Sequence, residues 1–141
     1  MKPNELRERL LADHRRLETL FTQVQDAFDA NAREDTLTLW TKLERGLERH
    51  FVAEERWLFP AFSKLDATET AALQADHALL RRELSELGMA VDLKLVRADV
   101  AKGFLEQLRA HAHRENDVLY RWADESLGDD ALPLMALLDS H

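Results

Sequence analysis

Apolar residues recur every three or four positions in four separate stretches of the chain. This spacing is typical of one face of an amphipathic helix, so each stretch is predicted to be a helix with one buried side. Turn and capping residues set the expected limits of the first three helices. The first is expected from the Pro-Asn pair at 3–4 to the segment NARED at 31–35, the second from about Thr36 to Pro60, and the third from the segment DATE at 66–69 to Gly88. The fourth is expected to carry the apolar stripe that runs from Val96 through Val100 to Trp122.

Short connections between such long helices make sequential neighbours antiparallel. The fold class is therefore expected to be all-α, an antiparallel up-down four-helix bundle that forms one domain over residues 1–141. The last segment, DDALPLMALLDSH, is expected to add a short C-terminal helical tail over one end of the bundle.

Four histidines interrupt the apolar stripes, one in each predicted helix: His14, His50, His77 and His111. Residues equidistant from a connecting loop lie at the same level of an antiparallel pair, and the midpoints between successive histidines fall at or near the predicted connections. The four histidines are therefore expected to meet in one layer of the core. His50 and His111 are each followed four positions later by a glutamate on the same face, which places Glu54 and Glu115 in that layer as well; Glu18 follows His14 at the same spacing.

Buried imidazoles and carboxylates without strong partners are costly, since even one unpaired buried ion costs several kcal/mol. A single histidine in an apolar stripe is commonly only a core residue bonded to the backbone, but six such groups at one depth favour two bound cations. The chain contains no cysteine, and mixed nitrogen and oxygen ligands without sulfur favour iron or manganese, with zinc possible. A carboxylate at this spacing can reach between two ions and bridge them.

Charge and hydropathy exclude several other classes of function. The net charge is −8, with no cluster of basic residues along one face, which argues against nucleic acid and anionic membranes as partners. The N-terminus lacks the apolar core of a secretory signal, and the longest apolar run, ALPLMALL, is too short to span a bilayer. A cytoplasmic protein is expected, with its oligomeric state left open.

The ordered set His, His-x-x-x-Glu, His, His-x-x-x-Glu resembles the hemerythrin-like, or HHE cation-binding, domains. The segments ADHRRLETLF, HFVAEERWLFP, ADHALLRREL and HAHRENDVLY carry the resemblance, which covers nearly the whole chain. It implies a non-haem di-iron centre in a four-helix bundle, with an oxo or hydroxo bridge and an open position for O2, NO or peroxide. It also implies the ligands of the two irons: His14 and His50 on one, His77 and His111 on the other, and Glu54 and Glu115 bridging both.

One position departs from the oxygen-carrying hemerythrins, which have His-x-x-x-His on the third helix. The residue four before His77 is Leu73, which argues against reversible oxygen carriage and favours binding or sensing of O2, NO or peroxide. Two alternatives stay open: a di-iron peroxidase or catalase-like enzyme, and an iron-responsive interaction module. No residue stands out as a dedicated general acid or base, so no enzymatic activity is assigned.

Three acidic residues near the histidines are candidates for a supporting role. Asp13 and Asp76 each precede a histidine of the set and are interpreted as hydrogen-bond partners of the ligands, as an extra ligand, or as part of a solvated face. Glu18 is a possible spare ligand or an exposed partner of Arg15 or Arg16.

The remaining polar and aromatic neighbours are expected to play no part in metal binding. Glu55 points about 100° away from Glu54 and is placed on the surface. His113 and His141 are expected to lie outside the centre. The aromatic residues Phe51, Trp57 and Tyr120 are interpreted as core residues. Lining of the pocket and electron relay are the alternative roles for them.

Overall fold

A computed structural model of the chain describes residues 5–92, 98–127, 130 and 132–139, and these residues contain helices but no strand. The predicted helix start at Pro3 and Asn4, Val96, and residues 129, 131, 140 and 141 of the predicted tail, which include His141, lie outside the described part. The helices are α1 (Glu5–Asp29), α2 (Arg33–Trp57), α3 (Phe59–Leu65), α4 (Ala67–Asp92), α5 (Ala98–Arg114), a π-helical segment (Glu115–Tyr120), α6 (Arg121–Ser126) and α7 (Leu132–Asp139). The prediction of an all-α fold is confirmed.

The four longest helices pack in a ring, since α1 contacts α2 and α5, and α4 also contacts α2 and α5. Their buried side chains form two separate groups. The first core cluster consists of Leu17, Phe21, Val24, Trp40, Leu43, Leu47, Phe51, Leu80, Leu84, Leu87, Ala101, Phe104, Leu105 and Leu108. The second core cluster consists of Leu6, Leu10, Ala53, Leu58, Phe59, Phe62, Leu73, Leu119, Tyr120, Ala123, Leu134, Met135 and Leu138.

Along the chain, each of the four histidines lies between a residue of one core cluster and a residue of the other. In α1, for example, His14 lies between Leu10 of the second core cluster and Leu17 of the first. In α4 the order is Leu73, His77 and Leu80, again from the second cluster to the first. The polar side chains therefore form a layer between two apolar regions.

The structure corrects two predicted helix ends. Pro60 does not stop the second helix: the chain leaves α2 at Leu58, and Pro60 lies in the first turn of α3, where its missing N–H costs nothing. Gly88 does not end the third helix but lies inside α4, where a Cβ atom would be 3.1 Å from Nε1 of Trp40. The glycine there permits close packing of the indole rather than a turn. By contrast, Asp66 caps α4 as expected, since its side chain accepts a hydrogen bond of 3.0 Å from the Glu69 N–H.

One position in the apolar stripe of the fourth helix differs from the prediction. Val100 was expected in the core but is 49% exposed, whereas the neighbouring Ala101 is buried. Phe104 and Leu108 are buried as predicted. Val100 and Ala101 lie four and three residues before Phe104, so periodicity alone did not distinguish them.

The C-terminal tail forms α7, which contacts α1 and α2 and contributes Leu134, Met135 and Leu138 to the second core cluster. Over its described residues, the tail therefore agrees with the prediction of a short helix over one end. Within the ranges that the structure describes, no helix is both long and apolar enough to cross a membrane.

A close approach of α1 and α2 positions two of the histidines. A Cβ atom on Gly46, one turn before His50, would lie 2.6 Å from Cδ2 of the buried Leu17. Any larger side chain there would force the helices apart or displace Leu17, which lies next to His14 in the packed layer.

We expect Gly46→Ala to destabilise the protein by about 1 kcal/mol, because overpacking outweighs the gain in helix propensity. The matched control is Gly103→Ala in α5, where a Cβ atom meets nothing within 4 Å. This control should stabilise the protein by up to about 1 kcal/mol. Urea unfolding of both variants measures the difference, and equal stabilisation by both would contradict the close approach.

Candidate metal centre

Six polar side chains from α1, α2, α4, α5 and the π-helical segment meet in the layer between the two core clusters, and we call them the polar cluster: His14, His50, Glu54, His77, His111 and Glu115. The imidazole rings of His14 and His50 lie 4.4 Å apart between centroids, and those of His77 and His111 lie 4.8 Å apart. Glu54 and Glu115 are completely buried. The structure thus brings together the four histidines and two glutamates that sequence spacing placed at one depth.

The polar cluster divides into two overlapping groups of four. In each group, one ligand atom per residue lies within 4.8 Å of the others. The first group contains His14 and His50, and the second contains His77 and His111; both contain Glu54 and Glu115. The two carboxylates therefore lie between the two pairs of imidazoles.

In three of the four imidazoles, a carboxylate contacts Nδ1, the ring nitrogen on the side away from the centre. Oδ2 of Asp13 lies 2.6 Å from Nδ1 of His50, and Oδ2 of Asp76 lies 2.9 Å from Nδ1 of His111. In both cases the aspartate precedes one histidine in sequence and contacts the histidine of the next long helix. This interaction fixes the ring so that Nε2 points into the centre, as is common for metal-binding histidines.

The third such carboxylate is Glu55, which the sequence analysis wrongly placed on the surface. Its Oε2 lies 2.8 Å from Nδ1 of His77, and Arg81 donates to both of its oxygens at 2.7 and 2.9 Å. Arg81 also donates to Glu48, and Phe51 stacks on the His77 ring at 4.3 Å. The predicted angle between Glu54 and Glu55 is correct, but that direction points to the back of a histidine rather than to solvent.

Tyr120 lies closer to the histidines than its spacing in the sequence indicates. Its hydroxyl lies 2.8 Å from Nε2 of His14, 2.9 Å from Nε2 of His50, and 2.9 Å from Oε2 of Glu54. The π-helical segment makes this possible, because an α-helix would place residue 119 rather than 120 below Glu115. Helical periodicity of 3.6 residues carries no signal for this shift.

The charges of the polar cluster perturb its titration strongly. Burial lowers the pKa of His14 below its ordinary value. Burial acts in the same direction on His50 and His77, but the neighbouring carboxylates outweigh it and raise each pKa to about 10. Burial would raise the pKa of Glu115, yet its contacts with Glu54 and His111 hold it well below the usual range. Positive charge on His50 and His77, but not on His14, therefore offsets the charge of the buried carboxylates.

Two other candidates lie away from the polar cluster. Glu18 pairs with Arg109 across α1 and α5, rather than with Arg15 or Arg16, and both partners are exposed. His113 is exposed on α5 and belongs to neither group of four, in agreement with the prediction that it plays no part in the centre.

A small cavity of about 30 Å³ lies against the centre. It lies between α1, α2 and α5, with the Glu18–Arg109 pair among its lining residues. Three imidazoles of the polar cluster and several apolar side chains complete the lining: His14, His50, His111, Leu17, Leu47, Phe51, Leu108 and Ala112.

The model of the family described as "Hemerythrin HHE cation binding domain" matches residues 5–123. The chain belongs to this family. Neither the curated proteins nor the solved structures contain a significant match to the chain. The match extends from α1 to α6 and includes all six residues of the polar cluster.

The side chains of this HHE domain fit a cation. Besides Nδ1 of His14 and Nη1 of Arg49, four buried side-chain atoms have no hydrogen-bond partner among the described residues, and these four belong to the second group: Oε1 of Glu54, Nε2 of His77, Nε2 of His111 and Oε2 of Glu115. They face one another, with His77 Nε2 3.1 Å from Glu54 Oε1 and His111 Nε2 3.1 Å from Glu115 Oε2. A cation among these atoms would use lone pairs that otherwise remain unpaired in the core.

If Glu55 orients His77, then Glu55→Gln should weaken metal binding by the HHE domain about 10-fold to 100-fold, as is usual for the outer partners of ligands. The matched control is Glu48→Gln, which removes the other carboxylate on Arg81 without touching His77. Competition with a chromophoric chelator measures both affinities. Equal metal affinity in the two variants would show that Glu55 does not act through His77.

Proposed function

We propose that this HHE domain binds two cations side by side, with Glu54 and Glu115 as ligands shared by both. The observation that carries the proposal is that the same two carboxylates lie within reach of both histidine pairs. In this assignment His14 and His50 bind one cation, and His77 and His111 bind the other. Two negative charges and four imidazole lone pairs suit a pair of divalent or trivalent ions.

The proposed cations are two iron ions, with manganese or zinc as possible substitutes. Imidazole and carboxylate ligands without sulfur support this assignment, as does membership of a cation-binding family. When bound, an iron pair supplies coordination positions and electrons for a small ligand or oxidant. The protein's own contribution is to fix the ligands: Asp13, Glu55 and Asp76 hold the Nδ1 atoms so that each Nε2 faces inward.

We also infer that α1, α2, α4 and α5 alternate in direction as an antiparallel up-down bundle and form one domain over residues 1–141. The order of the core clusters supports this inference: α1 and α4 run from the second core cluster to the first, whereas α2 and α5 with the π-helical segment run from the first to the second. Alternation is what brings one histidine from each long helix to a common level.

The proposed ligand is O2, NO or peroxide, which the protein binds or senses. The cavity beside the centre supports this choice, because about 30 Å³ holds only one or two molecules of the size of water. The fully buried Leu73 occupies the position where oxygen-carrying hemerythrins have a further histidine, which favours sensing or handling of the ligand over reversible carriage.

Metal content tests the shared ligands. After anaerobic loading with Fe(II) and desalting, elemental mass spectrometry should find about two irons per wild-type chain. Glu54→Ala and Glu115→Ala should each lose most of both irons, because each removes a ligand of both ions. His113→Ala is the control and should retain two, since His113 lies outside both groups. A folded wild-type protein with no bound iron would leave the histidines as structural core residues only.

If the small ligand reaches the centre through this cavity, a larger side chain in the cavity should slow its binding. Ala112→Leu should slow the binding of NO to the iron-loaded protein, because Ala112 lines the cavity and a larger side chain would fill it. Ala110→Leu makes the same change at an exposed position on the same helix and should leave the rate unchanged. Stopped-flow absorbance measures both rates, and equal rates would mean that the ligand reaches the centre by another path.

A further inference from the structure

The Tyr120 hydroxyl contacts every residue of the first group. Besides its contacts with His14, His50 and Glu54, it lies 3.4 Å from Oε1 of Glu115. The side chain is completely buried and belongs to the second core cluster. A phenolic oxygen is thus held among the four side chains that would bind one cation.

These distances are those between neighbouring ligands on one ion. Ligand atoms about 2.1 Å from a cation and 90° apart are about 3.0 Å from each other. The four distances from the Tyr120 oxygen, between 2.8 and 3.4 Å, lie around that value. The hydroxyl therefore needs only a small shift to coordinate the ion of the first group.

The second group has no equivalent of this hydroxyl. Its facing atoms on His77 and His111 have no hydrogen-bond partner within the described part of the chain, whereas the Nε2 atoms of His14 and His50 both contact Tyr120. The two groups thus have the same types of histidine and carboxylate ligands but differ in one oxygen.

The backbone supports a specific role for this residue. Glu115 and Tyr120 begin and end the π-helical segment, and the five-residue step brings both side chains into the polar layer. A single wide turn of this kind inside an α-helix is rare and is often found at functional sites.

We propose that the phenolic oxygen of Tyr120 is a further ligand of the cation held by His14 and His50, so that the two cations of the centre are inequivalent. This inference rests on the two-cation function proposed above. As the metal–oxygen bond forms, the phenol loses its proton to solvent, in the way that a bound cation removes the proton of a coordinating thiol or water. The cation held by His77 and His111 then has one protein ligand fewer.

The chain contains a single tyrosine, so every tyrosinate signal must come from Tyr120. In the oxidised iron protein, a phenolate on Fe(III) gives a visible charge-transfer band and tyrosinate modes in the resonance Raman spectrum. We expect both signals in the wild-type protein. Tyr120→Phe should remove them entirely and weaken the binding of one iron about tenfold or more, while the other iron remains.

Trp122→Phe is the control, an aromatic change two residues away that should leave the band unchanged. A wild-type protein with two irons but without tyrosinate modes would overturn the role of Tyr120 and leave the two-cation function standing. Fewer than two irons in the wild-type protein would overturn that function, and the tyrosinate modes of the remaining iron would still decide whether Tyr120 coordinates. Because the spectra are recorded on the wild-type protein, the result does not depend on the folding of any variant.

Discussion

The structure depends on how two completely buried glutamates are neutralised. Glu54 and Glu115 lie in the core of the protein, where an unpaired carboxylate would cost several kcal/mol. Four imidazoles surround them, and three of these rings are held from behind by further carboxylates. Each long helix contributes one histidine to this arrangement, so a change in the packing of any helix alters the balance of charge at the centre.

Apolar packing provides the rigidity that such a layer requires. The two core clusters lie on opposite sides of the polar cluster, and α1, α2, α4, and α5 together with the π-helical segment contribute to both. A displacement of one histidine therefore disturbs packed side chains on two sides. The short helix α7 completes the second core cluster, which means that the C-terminal segment supports the centre without contributing a candidate ligand among its described residues.

Much of the fold and the main polar cluster was predictable, because it rests on features that sequence spacing reports directly. The all-α class followed from apolar periodicity, and the meeting of His14, His50, His77 and His111 followed from their equal distances from the connections. The directions of Glu55 and Tyr120, and the burial of Ala101 rather than Val100, were not predictable in the same way. Each depends on where a side chain points within about one residue of helical rotation, and a repeat of three or four cannot resolve that angle.

The π-helical segment makes the position of the phenol depend on the type of a single helical turn. One residue corresponds to about 100° of helical rotation, so if residues 115–120 formed an ordinary α-helix of the same length, Leu119 would lie below Glu115 and the phenol would turn away from the histidines. The six residues of the polar cluster would all remain. Two chains with the same ordered set of histidines and glutamates can therefore differ in the oxygen beside one ion through the hydrogen bonding of one turn, a difference that their shared motif does not reveal.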